Sequence, residues 1–130
     1  MITLANLSSK TEQEVFNHVA IHLLTQNAVS RGMRPDRSGA DCLYRNEDGL
    51  KCAAGCLIGD DEYVKSFEGQ VWRDLIAKGL APEAHARLIN DLQFMHDRAK
   101  PEDFEKKLRA LAAEYHLNTQ AMDAFLNARG

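Results

Sequence analysis

The sequence predicts a mainly α fold: a compact single-domain helical bundle of about five helices with a small inserted β-hairpin around residues 42–53. Apolar residues recur at helical spacing near the start and throughout the second half of the chain. Between these stretches lies a short segment built around an Asp-Gly turn. The 130 residues are 45% hydrophobic and 27% charged, the composition of an ordinary globular protein. A chain of this size buries roughly two-thirds of its unfolded surface. It therefore needs neither disulfides nor a structural metal, and no cofactor is expected. Residues 1–130 are read as one domain.

The first helix is expected from about Ser9 to Ser30. Thr11 with Glu14, or Ser9 with Glu12, has capping-box spacing. Val15, Phe16, Val19, Ala20, Leu23 and Leu24 define its apolar face. Gly32 and Pro35 stop it, and the stretch to Asp41 reads as an exposed loop. In the text CLYRNEDGLKC, residues 42–52, Leu43–Arg45 meet Leu50–Cys52 across a two- or four-residue turn. The small residues of AAGCLIG, 53–59, suggest a helical turn in close contact with another element, and Asp60–Glu62 start a further turn. A helix over Gln70–Lys78 buries Val71, Trp72, Leu75 and Ile76, with Gly79 past its end. Pro82 and Pro101 open two longer helices, and Asn118 caps the last.

Sixteen basic against nineteen acidic residues give a net charge of −3. Phosphate binding calls for concentrated positive charge, so the acidic total weighs against the second alternative, a nucleic-acid-binding regulator. The nearest basic stretch holds Arg31, Arg34 and Arg37, and five acids with one lysine follow from Glu47 to Glu62. Neither a signal-peptide pattern nor an apolar run long enough for a membrane span is seen. Three cysteines are few for a secreted scaffold. A cytoplasmic location and no membrane partner are expected.

Cys42, Cys52 and Cys56 cluster as zinc ligands do, but only one gap falls in the usual two-to-four range and no fourth ligand lies nearby. In both hairpin registers Cys42 and Cys52 point to opposite faces; an odd-length loop or a bulge would reunite them. The three are expected to pack in the core. His18 and His22 lie one helical turn apart on the flank of the first helix, where they could grip a metal or stand solvated. His96 falls on the Leu88–Leu92 face. His96-Asp97 resembles the HD dyad of metal-dependent phosphohydrolases, all-helical enzymes. The likeness is two letters long, and a helical wheel points Asp97 away from the core.

No phosphate loop, dinucleotide fingerprint or nucleophile elbow is present. The expected function is therefore a small cytoplasmic protein-interaction or adaptor protein without catalysis. Its partner would be another protein or a second copy, engaged through Arg31, Arg34, Arg37, Tyr44, Arg45 and Phe94. The alternative is a metal-dependent enzyme or metal-stabilised domain using cysteines and histidines.

Overall fold

The computed structural model describes residues 1–33 and 40–129. Its elements are α1 (Glu12–Gln26), β1 (Arg31–Met33), β2 (Ala40–Cys42), α2 (Trp72–Ala77), α3 (Ala86–Arg98), α4 (Phe104–Glu114) and α5 (Gln120–Arg129). The fold is compact and mainly α, five helices with a small antiparallel β-hairpin, as the sequence implied. No helix among the described residues is long and apolar enough to cross a membrane.

Helix α1 begins where the spacing placed it. The Thr11 hydroxyl accepts from the Glu14 amide, and the Glu14 carboxylate accepts in return from the Thr11 amide. The six expected apolar residues are buried. The helix ends earlier than expected, at Asn27, which takes a left-handed conformation with φ of 50°. That early stop frees Arg31–Met33 to form a strand in place of the expected loop.

The hairpin is displaced from its expected position. Arg31 pairs with Cys42, Gly32 with Asp41 and Met33 with Ala40. The segment thought to hold both strands keeps a single bridge, Arg45 to Lys51. The Asn46 side-chain Oδ1 accepts from the Asp48 and Leu50 amides, which closes a five-residue loop rather than the two or four foreseen.

Further along, Gly79, whose φ is 74°, follows the Lys78 cap of α2. The amides of Leu80 and Gly79 donate to the carbonyls of Leu75 and Ile76, the Schellman arrangement. Val71, expected in the core, precedes this helix and is exposed; Trp72 and Leu75 are buried. Helix α3 starts four residues after Pro82, because His85 adopts a φ of 62° and its Nε2 donates to the Lys10 carbonyl. Phe16 of α1, Trp72 of α2, Leu88 and Leu92 of α3, Phe104 of α4 and Met122 of α5 belong to one buried apolar cluster.

Glu62 fastens the N-terminal segment to this cluster. Its carboxylate accepts from the amides of Gly59, Leu4 and Ala5 at 2.7, 2.8 and 2.9 Å. Burial raises its pKa, but the three amides outweigh that and hold the carboxyl below its ordinary value. A depressed folded-state pKa contributes stability above the unfolded value that is lost as pH falls through the folded one. Glu62→Gln should therefore cost about 1 kcal/mol at neutral pH. The deficit should shrink towards zero as pH drops below about 4, as read by urea denaturation at pH 7 and pH 3.

Candidate metal centre

Three chain segments converge at the C-terminal end of α3. The Leu43 amide donates to the Ser30 carbonyl at 2.9 Å, which holds the end of β2 against the residue preceding β1. The Ser30 amide donates to His96 Nε2 at 3.2 Å. Cys42 is thereby carried to His96 and Asp97. Cys42 Sγ, an imidazole nitrogen of His96 and a carboxylate oxygen of Asp97 lie within 4.8 Å of one another.

Each side chain is fixed from behind. The His96 ring is fully buried and stacks on Phe104, with centroids 6.1 Å apart. Since Nε2 accepts from an amide, its proton sits on Nδ1, which donates to Asp97 Oδ1 at 2.9 Å. Gln93 donates to the same oxygen at 2.6 Å, while its own carbonyl accepts from the Ala54 amide at 2.9 Å. Such outer partners orient ligands in metal sites.

The helical wheel placed Asp97 away from His96, and the structure overturns this. Neighbouring helical residues differ by only about 100° in direction. A short carboxylate at that angle still reaches the edge of the preceding ring.

Cys42 is half-buried and protonated at neutral pH. Burial, followed by the charge and hydrogen bond of Asp97, pushes its thiol up to about 11. Reactive cysteines sit in electropositive surroundings that favour the thiolate. This cysteine has the opposite setting, which rules against an unaided nucleophile. A thiol, an imidazole and a carboxylate are instead the donor types of zinc.

Cys42 and Asp97 line a cleft of about 400 Å³, with Tyr44, Gln70, Trp72, Asn90, Gln93 and Arg98 among its other walls. Within the cleft wall, the buried indole N–H of Trp72 has no hydrogen-bond partner among the described residues. A desolvated, unpaired donor costs on the order of 1–3 kcal/mol.

The remaining candidates fall elsewhere. Cys52 and Cys56 are buried, as expected of core cysteines: Cys52 Sγ accepts from the Gly55 amide, and Cys56 Sγ donates to the Ala53 carbonyl. His18 and His22 donate from Nε2 to the carbonyls of Cys56 and Lys51, each at 3.0 Å, beside a cavity of about 560 Å³. Neither belongs to a cluster of three metal donors among the described residues. Arg31 is exposed, whereas Tyr44 is buried and donates to the Gln70 carbonyl. Arg45 is committed to Asp60 and the Ile58 carbonyl. Phe94 is 59% exposed and carries the Arg98 guanidinium on its face. Arg34 and Arg37 lie outside the described residues.

Sequence reasoning missed Asp97 as a site residue, although the His96-Asp97 dipeptide was its visible signal. No protein-family model, curated protein or solved structure matches the chain. The expectation of an adaptor without catalysis is overturned by the Cys42, His96 and Asp97 cluster, which favours the metal-dependent alternative.

Proposed function

We propose that the protein is a metal-dependent enzyme whose zinc-class ion is held by Cys42, His96 and Asp97. The observation that carries this reading is the convergence of the three donors within 4.8 Å. Structural zinc sites close their shell with four protein ligands, whereas catalytic sites use three and leave a position for water or substrate. Here three ligands stand beside a cleft that admits a small molecule. The chemistry such an ion supplies is activation of water near neutral pH, so the reaction class is hydrolysis or hydration.

Loading has a structural consequence. An ion bound at Nδ1 sends the ring proton to Nε2, where it meets the Ser30 N–H. That contact must break, at a cost on the order of 1–3 kcal/mol. Zinc binding to structural sites releases on the order of 10 kcal/mol, enough to drive the change.

Cobalt titration of the tag-free protein tests the proposal. One equivalent should produce a thiolate-to-cobalt charge-transfer band that is absent in Cys42→Ser and Asp97→Ala. The zinc form should hydrolyse p-nitrophenyl acetate at least tenfold faster than Cys42→Ser. A wild-type protein with no such band would overturn the assignment.

A further inference from the structure

Helices α3 and α4 leave between them a surface groove of about 460 Å³, and its two walls repeat one pattern. On the α3 side Asp91 and Arg98 line it, with Phe94 and Met95 midway between them. On the α4 side stand Lys107 and Glu114, with Ala110 and Leu111 midway. Each set follows the spacing i, i+3, i+4, i+7, which keeps the side chains on one face over two helical turns. The opposite charges on each helix therefore stand about 10 Å apart, with an apolar pair between them.

The two helices run antiparallel. Arg87, near the start of α3, lies over the ring of Tyr115, just past the end of α4, and the Tyr115 hydroxyl donates to Asp91 Oδ2. At the other end His96 stacks on Phe104, the first residue of α4. Both acids, Asp91 and Glu114, thus fall at one end of the groove, and both bases, Arg98 and Lys107, at the other. Arg98, Lys107 and Glu114 are exposed and form no ion pair among the described residues. Asp91 Oδ1 has no hydrogen-bond partner there either. Between these charges Phe94 is the only exposed aromatic among the described residues. An exposed ring bordered by charges matches the core and rim of a protein interface.

A groove with opposite charges at its two ends is its own complement. A twofold axis lying in the contact plane and crossing the groove at right angles reverses its direction, so that acidic end meets basic end. Each helix then lies antiparallel on its own copy. Asp91 faces the second copy's Arg98, Lys107 faces its Glu114, and Phe94 packs on its Phe94 and Met95. An axis along the groove would instead set like charges against each other, which is costly.

We infer that the α3–α4 face is the interface of a symmetric homodimer, anchored by Phe94 and held in register by the Asp91–Arg98 and Lys107–Glu114 pairs. None of these contacts involves Cys42, His96 or Asp97, so the dimer does not depend on the metal reading. Phe94 and Arg98 also line the cleft beside the metal centre, which sets the interface against it. Nine residues line the groove, against about 20–30 a side in a standard interface. The dimer is therefore weak, with Kd on the order of 10 μM.

Sedimentation velocity from about 1 to 300 μM spans that range and tests the inference. Phe94→Ser should raise Kd at least about tenfold, with an unchanged circular dichroism spectrum. Lys107→Glu and Glu114→Lys each set like charges face to face at two symmetry-related places, and each should weaken the dimer about tenfold. An equimolar mixture of those two variants should regain wild-type association, because each now presents the charge the other lacks. The double variant Lys107→Glu/Glu114→Lys should regain it as well. A wild type that stays monomeric over the whole range overturns the inference. So does a dimer that Phe94→Ser leaves intact, since it must use another face. A mixture that associates no better than its components overturns the charge register and with it the symmetric dimer.

Discussion

Gly55→Ala is expected to destabilise the protein by about 4 kcal/mol or more, a loss reserved for disrupted cores. A Cβ at this position would lie 2.1 Å from the Tyr44 carbonyl oxygen and 2.9 Å from its carbon. Tyr44 cannot readily yield. Its carbonyl accepts from the Cys52 amide, its amide donates to Glu68 and its hydroxyl donates to the Gln70 carbonyl. Displacing it would also shift Cys42, two residues away, so metal binding should fall with stability. Gly49→Ala provides the contrast, since its Cβ would meet nothing within 4 Å and its φ of +81° is the only obstacle. That strain costs about 1 kcal/mol. Denaturant midpoints at unchanged slope measure both losses.

Zinc should raise the stability of the wild type and leave two variants unmoved. At a free zinc concentration one hundred times Kd, the folded state gains about 2.7 kcal/mol. For a chain of this length that gain raises Tm by roughly 10 °C. Cys42→Ser and Asp97→Asn each remove one donor with little change in volume, and each should shift by less than about 2 °C under the same conditions. His96→Ala is a poorer probe because it also empties a buried site and orphans the Ser30 amide. A scanning fluorimetry series over zinc concentration distinguishes these cases.

The helices were legible because their signals are local. Thr11 and Glu14 lie three residues apart, and the α1 apolar face repeats with the helical period. Errors arose where a distant partner decided the outcome. Arg31–Met33 reads as loop text, yet it forms a strand because Ala40–Cys42 supplies its ladder. Pro82 has the look of a helix start, but the contact between His85 and Lys10, seventy-five residues away in sequence, delays α3 to Ala86.

The metal centre was half legible for the same reason. Cys42 and His96 are both candidate ligands of the metal-dependent alternative by residue type, but nothing in the sequence pairs them with each other or with Asp97. Sequence spacing cannot join residues fifty-four positions apart; the Leu43–Ser30 and Ser30–His96 hydrogen bonds do so. Cys42 and Cys52 take opposite faces only when the loop is of even length, whereas Arg45 pairs with Lys51 across five residues. Cys42 turned out to belong with α3 rather than with the other cysteines.

X-ray absorption of the zinc-loaded, tag-free protein tests the central claim most directly. The centre built from Cys42, His96 and Asp97 predicts one sulfur at about 2.3 Å and two or three nitrogen or oxygen neighbours at about 2.0–2.1 Å. The sulfur shell should vanish in Cys42→Ser and persist in Cys52→Ala. A shell of two or three sulfurs, or one holding only nitrogen and oxygen, would contradict the account.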